Sequence, residues 1–169
     1  MMTRIMSRNL ALAISLAWIV LATAPAWAGT WKQELIRRPA EDGGDIRYAI
    51  LYAANQSTLQ IGCTANRIER VLIVFPLKNG ITAPIAQQPE ARYAFDGADP
   101  KATDWPLFEP GTVAVPRGGQ SSRFTRTIGQ SQRLQVTAKG FDGSLLTADF
   151  DLSGAAAVVD GLLGDCGIR

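Results

Sequence analysis

Ile46-Arg47-Tyr48-Ala49-Ile50-Leu51-Tyr52-Ala53 and, after Asn55-Gln56-Ser57, Thr58-Leu59-Gln60-Ile61-Gly62-Cys63-Thr64 decide the fold. Successive side chains of an extended chain point to opposite faces, so Ile46, Tyr48, Ile50 and Tyr52 share one side and Arg47, Ala49 and Leu51 the other. Leu59, Ile61 and Cys63 repeat the alternation in the second run. Asn and Ser between the runs favour a turn because their short side chains hydrogen-bond nearby backbone. The pair is therefore expected to be a β-hairpin, with the Ile46-Tyr48-Ile50-Tyr52 side as its apolar face. Glu69 to Phe75, ERVLIVF, is a β-branched apolar run stopped by Pro76 and fits a central strand buried on both faces.

Outward from this block, alternation predicts further strands at Trp31 to Arg37, Arg92 to Asp96, Gln132 to Ala138 and Leu145 to Asp151. Lys139-Gly140-Phe141-Asp142-Gly143 would join the last two as a hairpin. Pro84, Pro89, Pro100, Pro106, Pro110 and Pro116 mark the stretch from Lys78 to Gln120 as loops and edge strands. Helical spacing is clearest at the C-terminus, where Val158, Val159, Leu162, Leu163 and Cys166 fall on one face behind Ser153, a residue suited to cap the free amides. Gly161 and Gly164 each weaken that helix by about 1 kcal/mol relative to alanine, which predicts a close approach there. Arg123 to Ile128 reads as a short helical turn. The expected fold is mainly β, an antiparallel sandwich or curved sheet with the C-terminal α-helix packed on it.

The start of the chain is of a different kind. Arg4 and Arg8 precede a largely apolar run from Leu10 to Ala24, then Pro25-Ala26-Trp27-Ala28. The run is short for a membrane span, and Ala26 and Ala28 are the small residues a signal peptidase accepts, so residues 1–28 are expected to be an export signal and 29–169 a single secreted β-rich domain. Removing Arg4 and Arg8 from the 17 basic residues leaves the rest balanced against the 15 acidic ones. That balance argues against a nucleic-acid partner, and no second apolar stretch suggests a membrane span after processing. The expected location is the periplasm or the exterior. In such a compartment Cys63 and Cys166 are expected to form a disulfide, the second cysteine reaching the first from the inner end of the helix. A redox or zinc role lacks both CxxC spacing and any histidine.

The absence of histidine also removes Ser-His-Asp and Cys-His nucleophile activation, HExxH metalloprotease chemistry and imidazole proton shuttling. Gly129-Gln130-Ser131-Gln132-Arg133 begins like a nucleophile elbow but lacks the closing glycine, and a turn before a strand explains it better. Asp149 and Asp151 share one face of a strand and could form an acidic pair, although a solvated outer face opposite a buried Phe150 is the plainer explanation. Asp96, Asp99 and Asp104 could contact calcium from a loop, but their spacing is not that of an EF-hand and turn-forming aspartates are commoner. No catalytic residue, metal or cofactor is therefore expected.

Binding chemistry is better represented. Arg117, Arg123 and Arg126, with Gly118 and Gly119, form a candidate anion-facing patch, against which stands the alternative of a solubilising loop. Trp31, Trp105, Phe108 and Phe141 could form a docking or sugar-stacking surface, or simply close the rim of a core. Trp105, Phe108, Arg117, Arg123 and Arg126 are the candidate binding residues.

Several segments, taken in order, resemble the periplasmic type VI secretion-associated proteins of the VasI type: LQIGC at 59–63, YAFD at 93–96 followed by Trp105, RLQV at 133–136, and ADFDLSGAAAVVDGLLGDC ending at Cys166. The resemblance covers about two thirds of the chain after the leader. It implies family marks at Cys63, Tyr93, Phe95, Asp96, Trp105, Phe150, Asp151, Leu152, Ser153, Gly154 and Cys166. Strand, turn and capped helix account for Phe150 to Gly154 architecturally, with Ser153 as the cap. The expectation is a non-enzymatic exported accessory protein that binds a protein or cell-envelope partner, associated with type VI secretion. The alternative is an envelope glycan- or ligand-binding module, or an inhibitor of a wall-degrading enzyme. A hydrolase built on acidic pairs is a third class.

Overall fold

A computed structural model of the chain describes residues 30–39, 44–76, 90–109, 111–140 and 144–168. The expected leader and Phe141 lie outside the described residues. In chain order the elements are β1 (Trp31–Ile36), β2 (Ile46–Tyr52), β3 (Thr58–Thr64), β4 (Arg67–Val74), β5 (Ala91–Phe95), β6 (Lys101–Thr103), β7 (Leu107–Glu109), β8 (Thr112–Val115), α1 (Gly119–Gln130), β9 (Arg133–Lys139), β10 (Leu145–Asp151) and α2 (Ala155–Asp165).

The β2–β3 hairpin forms as the turn residues predict. Ala53 N donates to Ser57 O at 2.8 Å, and Asn55 Oδ1 accepts the Ser57 amide at 3.1 Å. The hairpin lies within an antiparallel sheet of order β1-β2-β3-β4-β8-β7, and a second antiparallel sheet has the order β10-β9-β5-β6. The protein is thus mainly β, a sandwich-like pair of sheets with the C-terminal helix packed against them. Residues of both sheets and both helices share one buried cluster, among them Leu51, Ile61, Ile73, Trp105, Ile128, Leu134, Phe150 and Leu162.

Both faces of β2 are largely buried, and the one toward the main core carries Ala49 and Leu51. Register pairs Arg47 with Cys63, Ala49 with Ile61 and Leu51 with Leu59, and of these all but the exposed Arg47 lie in the main core. Ile46, Tyr48 and Ile50 form a separate buried cluster. Both sides of β2 are therefore apolar, and alternation alone does not tell which side meets the helices. Tyr48 lies across Gly62, where a Cβ would come within 2.7 Å of its ring.

Strand β4 is buried on both faces, as its composition requires. A bulge opposite Gly62 and Cys63 leaves Glu69 as the extra residue, which allows Ile68 and Val71 to enter the same core although they are three apart. Glu69 is itself nearly buried and is held by Arg67 at 3.1 Å and Arg117 at 3.3 Å.

The helices differ from expectation in three respects. The segment around Arg123 is a full helix of 12 residues, with Phe124, Thr125 and Ile128 buried. Helix α2 starts from Gly154, whose φ of 78° is left-handed backbone that favours glycine, and no side chain caps it. Ser153 instead donates its hydroxyl to Asp151 Oδ1 at 2.6 Å, which also accepts the Ser153 amide at 2.9 Å. The close helix approach occurs at Gly129 of α1, where a Cβ would lie 3.4 Å from Val159; at Gly161 and Gly164 a Cβ would meet nothing within 4 Å.

Cys63 and Cys166 are disulfide-bonded with Cα atoms 6.2 Å apart, which fastens the end of α2 to β3 across a sequence separation of 103. Arg47 reinforces this end by facing Asp165 at 3.6 Å. Among the described residues no helix is long and apolar enough to cross a membrane. An intact disulfide is compatible with a periplasmic or secreted location.

Candidate functional site

The site grows from the pairing of β5 with β6, which sets Lys101 opposite Tyr93. Phe95 follows two residues on, so it lies on the same face of the strand as Tyr93. After β6, Thr103 Oγ1 accepts the Trp105 amide at 3.0 Å and turns the chain so that the indole stacks on Tyr93, with ring centroids 5.2 Å apart and planes 8° apart. Helix α1 brings Phe124 edge-on to both rings, 5.2 Å from Tyr93 and 5.1 Å from Trp105. Phe95 closes the group at 5.8 Å from Tyr93 and 5.2 Å from Phe124. Edge-to-face and offset geometries of this kind are favoured by the ring quadrupoles. Trp105 and Phe124 are buried while Tyr93 and Phe95 are half-buried, so the cluster is both core and surface.

Over this cluster runs an open groove of about 500 Å³ lined by Tyr93, Phe95, Lys101, Trp105, Gln120, Arg123, Phe124 and Thr127. Positions 120, 123, 124 and 127 fall on one helical stripe, which explains why α1 presents them together. Arg123 folds back along the helix, its Nε donating to Gly119 O at 3.2 Å. The first turn of α1 carries no acidic residue and no side-chain cap. Its unshielded positive end therefore adds to the field of Lys101 and Arg123. Among the described residues neither cation has a carboxylate within ion-pair distance. Trp105 Nε1 is buried and has no hydrogen-bond partner among the described residues.

The candidate binding residues do not all converge. Trp105 and Arg123 meet in the groove. Arg117 is engaged with Glu69 instead, and Arg126 is exposed on α1 but does not line the groove. Phe108 stands apart on β7, half-exposed, with the Arg70 guanidinium 5.3 Å over its ring. The three arginines and two aromatics therefore do not make a single patch. Lys101, Gln120 and Thr127 escaped the sequence reading. Lys101 sits in a stretch that its prolines mark as irregular, and only the β5–β6 register brings it beside Tyr93.

The acidic residues have structural duties. Asp96, in left-handed backbone at φ 52°, accepts the amides of Gln132 at 2.8 Å and Arg133 at 2.9 Å and joins the end of β5 to the start of β9. The Arg133 and Gln132 amides hold its carboxyl below the ordinary value. Asp149 receives both Nε and Nη2 of Arg133, and these hydrogen bonds lower its pKa, while that of Arg133 rises. Asp151 is occupied by Ser153. The pair at 149 and 151 is thus tied to neighbours and does not form an acid-base couple. No group of three or more metal-ligating side chains occurs among the described residues.

Ser131 of the elbow-like segment is buried between α1 and β9. Its surroundings are those of a helix end turning into a strand. Comparison with protein-family models, curated proteins and solved structures finds no match to this chain.

Proposed function

We propose that this chain is an exported, non-enzymatic accessory domain that binds a protein or cell-envelope partner through the groove between β5, β6 and α1. One observation carries the proposal: Lys101 and Arg123 converge on an aromatic floor without a carboxylate between them. Unneutralised cations beside partly exposed aromatics provide both orientation and buried area when a complementary surface arrives. The disulfide supports the exported location. Association with a type VI secretion apparatus is the finer part of the proposal and rests on the sequence likeness alone.

The glycan-binding alternative draws less support from the groove. Sugar stacking needs an open aromatic face, and Trp105 is only 1% exposed beneath Tyr93. The test is capture from envelope extracts by the immobilised protein and by a Lys101→Glu, Arg123→Glu variant. A component retained by the wild type and lost from an equally stable variant is the expected result. Identical retention by both would remove the groove from consideration.

A further inference from the structure

We infer that the occupant of the groove is an acidic peptide segment of a partner protein, with carboxylates that meet Lys101 and Arg123 and an apolar side chain laid on Tyr93 and Phe95. This rests on the binding role proposed above and specifies its chemistry. Every ionisable group of fixed charge along the groove is basic: Lys101 stands at one wall and Arg123 at the other, with the positive end of α1 beside Gln120. A guanidinium offers a planar fork that matches a carboxylate, and an ammonium offers a point charge, so two carboxylates on one ligand satisfy both walls.

The floor selects among anions. Tyr93 and Phe95 remain half-buried, which leaves apolar surface for a side chain to cover. A bare inorganic anion would leave that surface wet. A single-stranded nucleic acid or a neutral sugar would require open ring faces, and the one indole present is buried, stacked on Tyr93 and met edge-on by Phe124. A peptide that alternates acidic and apolar side chains uses the walls and the floor together.

The experiment uses the processed protein with its disulfide intact. The probes are a fluorescent ten-residue peptide alternating glutamate and leucine, its glutamine counterpart, oligoglucuronate and inorganic phosphate. Binding is followed by anisotropy and, in a Trp31→Phe background, by the emission of Trp105. The glutamate peptide is expected to bind about tenfold more tightly than the glutamine peptide and to weaken as salt is raised. Arg123→Glu should reduce its affinity at least about tenfold, and Arg123→Lys, which keeps the charge but loses the fork, should reduce it by a smaller factor of about three to five.

Equal affinity for the glutamate and glutamine peptides, or indifference to Arg123→Glu, would overturn the assignment. Tighter binding of oligoglucuronate through the same residues would transfer the groove to an acidic glycan, and saturation by phosphate alone would reduce it to an anion site. If the glutamate peptide fails while envelope capture still depends on Lys101 and Arg123, only the occupant is wrong. If capture is also unchanged, the binding role itself falls.

Discussion

The two ends of the shared core are stabilised in different ways. At one end α2 is fixed by a covalent link between Cys63 and Cys166 and by aliphatic packing of Val159, Leu162 and Leu163. At the other, β5, β6 and α1 meet through four aromatic rings and expose two cations along the seam. The first end resolves its charge internally, Arg47 facing Asp165. The second leaves charge unmatched. Lys101 and Arg123 are exposed, so solvent meets their charge and the missing carboxylate costs the fold little. The contrast is between an end tied covalently and by aliphatic packing and an aromatic end bordered by exposed cations.

Breaking the covalent end should have the largest effect. Cys166→Ala removes a closure of 103 residues, and chain entropy puts the loss at about 4–5 kcal/mol, read as a denaturant midpoint below that of the oxidised wild type. A variant as stable as the wild type would show that the aliphatic contacts of α2 suffice. Phe124→Ala attacks the other end, and removing a buried phenyl should cost about 3–4 kcal/mol in chemical denaturation. A much smaller loss would mean that the groove collapses to fill the space and that its shape is not fixed.

Gly62→Ala tests a contact beside the covalent end, on the side of β3 opposite Cys63. Its methyl would sit 2.7 Å from the Tyr48 ring, so a destabilisation of about 1–3 kcal/mol is expected in the same assay. Acid should act more gently. Asp96 and Asp149 have folded pKa values below the ordinary 3.8, so the unfolded chain takes up protons first as the pH falls. Their contribution is complete above the unfolded value and disappears as the pH drops through the lower folded values, a loss that Asp149→Asn should diminish in melts taken from pH 5 to pH 2. A melting curve whose acid dependence is the same in that variant would exclude Asp149 as a source. Arg123→Glu should change stability by less than about 0.5 kcal/mol, because the side chain is exposed and unpaired with acid, and this makes it the cleanest separation of binding from folding.

Particular residues show what could be read in advance. ERVLIVF announced a central strand because nothing polar interrupts Val71 to Phe75, and the Asn55-Gln56-Ser57 turn fixed the partner of Ile46 to Tyr52. Alternation left the inner side of β2 open because both its sides are largely apolar, a situation in which the period of two carries no direction. Ser153 was a sound cap by residue type, yet the adjacent Asp151 carboxylate competes for its hydroxyl more strongly than free amides do. The groove was only half legible. Trp105 and Arg123 stood out by chemistry, but Lys101 joins them through a three-residue strand that is too short to show alternation and lies among prolines. Arg117 looked equivalent to Arg123 until the β4 bulge turned Glu69 toward it.

Asn55 lies at the tip of the β2–β3 hairpin, and its Nδ2 donates to Thr147 O at 2.6 Å on β10, the outermost strand of the second sheet. An outermost strand with open carbonyls is a template on which further copies can stack. One amide side chain borrowed from a distant turn occupies that template midway along its length. The hairpin that organises the first sheet thereby also discourages the second from growing into a polymer.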